Sequence, residues 1–338
     1  MQLKGGDFYV YYSEDEDGNS IIPRAAIRMS ENQIGEVRGI AAEQNLDPYI
    51  NAVVQDKLKE FPDGEQYEKK VHNMKTLTDI ERKTKADAKL TKNDLIFLYE
   101  MNQPIEGFGY QRDPRIKEIL ETRNPEEDVP IVFECAPEEI AHNVSEIKED
   151  TKAYIGKLEP GIFDALPENI ENVYTKFPEE KIKFRKIELG TGIKDGMAFK
   201  KTIEEKGMEV SNYAESMLKN PDFKVIGEHN DADLVEVSVG SLGFENGAEY
   251  ADICKRAIEL GLKLCPAEVG PQLRLQYKDQ PMGEWLRVAM KAISDADGNP
   301  RVFFVARIVD GLWLNASSGG PDSEWGPERR FLFLRPRK

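Results

Sequence analysis

The segment Cys265-Pro266-Ala267-Glu268-Val269-Gly270-Pro271-Gln272-Leu273-Arg274-Leu275-Gln276-Tyr277 gathers residue types that nucleophilic and acid–base chemistry requires. A cysteine reacts as its thiolate, which a positive neighbour must stabilise, and Arg274 is the cation at hand for Cys265. Glu268, held on a backbone that Pro266 and Pro271 stiffen, is a candidate general base. A hydrolase or transferase using Glu268 or Cys265 with Arg274 is one reading. The other is a stiff connection between a helix and a β-domain, with Glu268 and Arg274 paired or solvated. It requires no convergence in space and is preferred.

A second concentration of residue types points to binding. Trp285, Trp313 and Trp325 all fall in the last 54 residues of a 338-residue chain, with Tyr277 nearby. Tryptophan offers a large apolar surface and one N–H donor, which suits both small cores and binding faces. These four residues are the candidate ligand-binding set, for a protein, peptide or glycan partner. The chain ends on Arg329-Arg330-Phe331-Leu332-Phe333-Leu334-Arg335-Pro336-Arg337-Lys338. A basic strand with aromatics could bind single-stranded nucleic acid through Arg329, Arg330, Arg335 and Arg337. Positive charge also protects an edge strand from aggregation.

Other patterns fall short of a site. Asp15-Glu16-Asp17-Gly18-Asn19 and Asp295-Ala296-Asp297-Gly298-Asn299 cluster the oxygens that calcium favours. An EF-hand loop needs glycine sixth and glutamate twelfth, whereas here glycine is fourth and Ala26 and Ala306 stand twelfth. Hairpin turns account for both copies. His72, His142 and His229 lie in separate segments with no cysteine beside them, so the short ligand spacing of a zinc site is missing and no metal is expected. Leu189-Gly190-Thr191-Gly192-Ile193-Lys194-Asp195-Gly196 leads from a strand to a helix but matches neither phosphate-loop pattern. Asp195 would repel a phosphate and is better placed to serve the helix dipole itself. No cofactor is expected.

Composition bounds these readings. The net charge is −16, unevenly spread: residues 264–338 carry 11 Lys and Arg against 9 Asp and Glu, leaving the acidic excess to residues 1–263. An acidic body disfavours broad contact with nucleic acid or anionic lipid, so only the C-terminal block could meet a polyanion. No run approaches the roughly 18 to 20 apolar residues of a membrane span. The first residues lack a secretory signal, and three cysteines without motif spacing fit a reducing cytoplasm. Oligomeric state is not legible. The chain opens almost inside its first strand, as a fragment of a longer protein would.

The elements that would position these residues form three parts. Residues 1–125 read as an antiparallel meander (8–12, 24–29 and 34–38) followed by helices: one from Asp47-Pro48 to about Glu60, one on the stripe Tyr67, Val71, Met74, Leu77 and Ile80, one capped by Thr91 and Asp94, and one opened by Asp113-Pro114. Residues 126–265 read as an irregular α/β domain, with Ile131–Phe133 a buried strand, 144–182 irregular, helices near 194–206 and 212–218, a strand at 234–239 and an amphipathic helix stopped by Gly261. Residues 266–338 read as a small antiparallel β-module with strands at 273–277, 284–293, 302–309, 312–315 and 331–334, turning at Asp297-Gly298 and Asp310-Gly311. The fold class is α+β.

Four segments together resemble a family of uncharacterised proteins from uncultured, reduced-genome bacteria: Glu36-Val37-Arg38-Gly39; Asp94-Leu95-Ile96-Phe97-Leu98-Tyr99-Glu100; Gly107-Phe108-Gly109-Tyr110 with Asp113-Pro114-Arg115-Ile116; and Leu264-Cys265-Pro266-Ala267-Glu268-Val269-Gly270-Pro271. The resemblance covers most of the chain and implies no activity, cofactor or catalytic residue. The leading expectation is a non-enzymatic recognition protein that binds through its tryptophan-rich C-terminal block.

Overall fold

The first Asp-Gly turn is closed by its own aspartate. The Asp15 carboxylate accepts from the amides of Asp17 at 3.0 Å and Asn19 at 2.8 Å, and Gly18 adopts φ +82°. The turn joins β1 (Phe8–Glu14) to β2 (Ser20–Ser30), and β3 (Gln33–Gly39) completes an antiparallel meander. The computed structural model describes residues 8–30, 33–40, 45–46, 48–108 and 111–336; Asp47, Gly109, Tyr110 and Arg337 lie outside them. Ala25, Ile27 and Met29 alternate inward along β2 and pack with Ile50, Val54 and Leu58 of α1 (Pro48–Leu58). Next come α2 (Gly64–Lys85), α3 (Lys92–Leu98) and α4 (Pro114–Glu121). Thr91 and Asp94 form the expected reciprocal cap of α3, and the Asp113 carboxylate accepts from the Arg115 amide at 3.0 Å to start α4.

The chain divides into two compact units, 1–124 and 125–338. In the second, the elements run α5 (Pro125–Phe133), β4 (Ile140–Ala141), β5 (Ala153–Ile155), α6 (Ile162–Ala165), β6 (Asn172–Lys176), β7 (Glu180–Leu189), α7 (Gly196–Glu205), β8 (Glu209–Val210), α8 (Asn212–Lys219), β9 (Asn230–Ser238), β10 (Ala248–Glu249), α9 (Tyr250–Glu259), α10 (Val269–Gln276), β11 (Trp285–Val288), β12 (Ile293–Ser294), β13 (Pro300–Ile308), β14 (Gly311–Ser318), β15 (Glu324–Trp325) and β16 (Arg330–Arg335). Among the described residues, eleven strands form one mixed sheet in the order β4-β5-β6-β7-β9-β16-β11-β13-β14-β8, with β12 on β13; β10 and β15 pair separately. The architecture is α+β.

Two expected strands are helical, and the single strand expected over 284–293 is two, β11 and β12. Ile131–Phe133 ends helix α5 rather than forming a strand. Pro125 opens that helix, and Glu126, Glu127 and Asp128 in its first turn suit the positive end of the dipole. Leu273–Tyr277 likewise is not a strand: all but Tyr277 lie in α10. Val269 to Leu275 are all buried, so no solvent-exposed face marks the helical period. The polar row Glu268, Gln272 and Gln276 is hydrogen-bonded in series and exposed only at Gln276, and Pro271 is tolerated because it sits in the first turn. The C-terminal strands also do not form a sheet of their own. β16 pairs antiparallel with β9 from Arg330↔Ser238 to Arg335↔Asp233, so residues on either side of 265 share one sheet and one core.

The register defines the two faces of this sheet. Phe303 turns toward one of them, where α10 crosses close enough that a Cβ on Gly270 would lie 2.6 Å from the Phe303 Cβ, and where Phe223 meets the same ring edge-on. Helix α7 packs alongside α10 there, and α8 packs on α7 and on β14. Phe304 and Phe331 point the other way. Over Phe331 lie Tyr250 of α9 and Trp325, at ring-centroid distances of 5.8 and 5.5 Å.

Candidate functional site

The candidate catalytic residues are brought to the interior, each with a structural partner. Glu268 is fully buried at the start of α10. One carboxylate oxygen accepts from the Gly190 amide and from Gln272 Nε2, both at 2.9 Å, and the other from the Ile226 amide at 2.5 Å. Glu268 thus clamps the Gly190 turn, whose φ is +64° and where an added Cβ would meet the Glu228 carbonyl at 2.1 Å. Asp195 caps α7 by accepting from the Ala198 amide at 2.8 Å, its expected role. Cys265, 4% exposed, donates its thiol to the Leu332 carbonyl at 3.4 Å, and burial pushes its pKa well up, away from a thiolate. Arg274 is fully buried and donates to Gln280 Oε1 at 2.6 Å and to the carbonyls of Ala306 and Tyr277. Its hydrogen bonds go to neither Glu268 nor Cys265.

The basic terminal strand is similarly engaged. Arg335 is 7% exposed and donates to the carbonyls of Leu166 at 2.6 Å and Pro167 at 3.0 Å. Arg330 donates to Glu236 at 3.2 Å. The Glu236 side chain is completely buried and also has Lys183 and Arg185 at 3.5 Å. Tyr277 belongs to this ionic cluster: its hydroxyl donates to Glu284 at 2.7 Å and accepts from Arg185 at 2.9 Å, and the Arg185 guanidinium stacks 3.9 Å from its ring centroid. Arg329 pairs with Glu328 at 2.8 Å. Among the described residues, no cluster of three or more His, Cys, Asp or Glu could hold a metal ion, and no helix is long and apolar enough to cross a membrane.

Two tryptophans share a row. Trp285 of β11 pairs with Ala306 of β13, and Ala306 pairs with Trp313 of β14. Residues directly opposite in a sheet point to the same face, so both indoles flank Ala306 on the face opposite α10. Trp285 is 43% exposed and lies flat on Phe304, with ring centroids 5.1 Å apart and an interplanar angle of 12°. Beside Trp313 the sheet edge is grooved: about 510 Å³ lined by Val210, Ser211, Asn212, Tyr213, Asn315 and Ala316. Trp325 is half-buried, edge-on to Phe331. The fourth candidate, Tyr277, is 9% exposed within the Glu236 cluster and does not join them.

The next row carries a residue that the residue types alone did not single out. Phe331, Arg287 and Phe304 pair across β16, β11 and β13, and Asn315 follows on β14. Arg287 is only 4% exposed, with its guanidinium carbon 4.7 Å from the Trp325 ring centroid and 5.9 Å from that of Phe304. Burial lowers its pKa, reinforced by the charge of Arg329 and opposed by that of Glu328. Its Nε, like Nε1 of Trp313 and of Trp325, is buried without a hydrogen-bond partner among the described residues. The available signal was its position two residues after Trp285, hence on the same strand face. Comparison with protein-family models, with curated proteins and with solved structures finds no match for this chain.

Proposed function

We propose that the protein is a non-enzymatic recognition protein that binds a glycan on the sheet face formed by β11, β13 and β14. The observation that carries this reading is the Trp285–Ala306–Trp313 row, with Trp285 lying flat on Phe304 and 43% exposed. An indole held parallel to a second ring has one face already occupied and offers the other as a rigid apolar platform. A pyranose ring has a complementary apolar face of C–H bonds, with hydroxyls around its rim. Ser211, Asn212, Tyr213 and Asn315 line the groove beside Trp313 and supply hydroxyl and amide groups for such a rim.

The hydrogen bonding of Glu268, Cys265 and Arg274 supports structural roles for all three. The test is retention on an array of immobilised neutral and acidic oligosaccharides. Wild type is expected to bind a subset of the sugars, and Trp285→Ala is expected to lose at least tenfold in affinity while unfolding at the same urea concentration. Absence of binding to every sugar, or equal binding by the variant, would overturn the reading.

A further inference from the structure

We propose that the glycan bound on this face is acidic, and that Arg287 reads a carboxylate on the sugar ring stacked on Trp285. The inference rests on the glycan reading above and names its ligand class. Trp285 and Arg287 are two residues apart on one strand and therefore on one face, separated by about 6–7 Å at the usual strand rise. That span matches one pyranose ring with its carboxylate, so a uronic acid can place its ring on the indole and its charge at the guanidinium.

The environment of Arg287 fits this role. It is more than nine-tenths buried, sandwiched toward Trp325 and Phe304, and it makes no hydrogen bond or ion pair with a protein acceptor among the described residues. A charge removed from water ordinarily has a paired acceptor, and among the described residues the other arginines buried to this degree have them: Arg274 and Arg335 each donate to carbonyls. The charges acting on Arg287 are Arg329 and Glu328, which pair with each other at 2.8 Å. The local balance of these three residues is therefore one positive charge, open to one carboxylate. Flat aromatic walls on a guanidinium leave its donor edge as the recognising surface and favour a planar, bidentate acceptor. The whole chain carries −16, so a long polyanion meets repulsion away from this point. A single uronate within a short oligosaccharide is the form that the surface suits.

The experiment prints uronic-acid oligosaccharides beside their carboxyl-reduced counterparts, which keep each ring but lose its charge, together with acidic peptides of equal charge. The wild-type protein is expected to favour the acidic sugar of at least one pair by tenfold or more. Arg287→Lys and Arg287→Met are expected to bring that pair toward parity, whereas Trp285→Ala weakens both members. Equal wild-type binding to both members of every pair would overturn the role of Arg287 and leave the glycan reading standing. Binding to no sugar would remove both. Retention of the acidic peptides instead of the sugars would make the ligand a peptide and overturn this assignment. The wild-type comparison decides these outcomes even if a variant fails to fold.

Discussion

Burial separates residues that look alike in type. Trp285 and Trp325 are both indoles beside a phenylalanine, but only Trp285 lies flat and exposed, while Trp325 stands edge-on to Phe331 and walls the Arg287 guanidinium. Their concentration near the C-terminus was legible in the order of residues. Arg287 was not, because its surroundings come from Phe304 and Trp325, residues far along the chain that pairing and packing bring together. Glu268 was legible as an unusual residue but not as a clamp, since the two amides it holds, Gly190 and Ile226, belong to segments 78 and 42 residues away. Glu268→Ala is expected to leave both amides buried without an acceptor and to destabilise the protein by about 2–5 kcal/mol. Urea denaturation measures this; a loss under 0.5 kcal/mol would show that the clamp contributes little.

Helix α10 shows what local pattern hides. Leu273, Leu275 and Tyr277 alternate as a strand would, and the polar row Glu268, Gln272 and Gln276 is short and mostly buried because the surroundings enclose Val269 to Leu275. Period alone cannot separate such a helix from a buried strand, and the same holds for Ile131–Phe133 at the end of α5. Elements with a solvated face or a marked end were legible: the meander of β1 to β3, the Thr91–Asp94 cap, the Asp113 start of α4 and the Gly261 stop of α9, which adopts φ +96°. Close approach of α10 to the sheet depends on Gly270. Gly270→Ala is expected to force its methyl against Phe303 and to cost about 1–3 kcal/mol. Thermal unfolding that matches wild type would show that the helix shifts freely on the sheet.

At the scale of the molecule, the large sheet joins strands that composition assigns to separate domains. β16 enters between β9 and β11, an arrangement set by long-range pairing that local propensity does not encode. One consequence is a core that holds its thiols and phenols neutral. Burial raises Cys254 to about 11, Tyr154 and Tyr174 to about 12, and Cys265 and Tyr250 further. Groups raised in the fold contribute stability that is complete below their unfolded values. The unfolded thiols ionise near 9.0 and the phenols near 10.0, so stability is expected to fall as pH rises past about 9 and to keep falling toward 12. Urea midpoints measured from pH 7 to 11 test this, and a flat profile would contradict it. The central claim concerns the face this sheet leaves open. It is tested most directly by titrating wild type and a Trp285→Ala/Trp313→Ala variant with the oligosaccharide most strongly retained on the array, followed by calorimetry. Saturable binding by wild type and at least a hundredfold weaker binding by a folded variant is the predicted result; equal affinities would contradict the account.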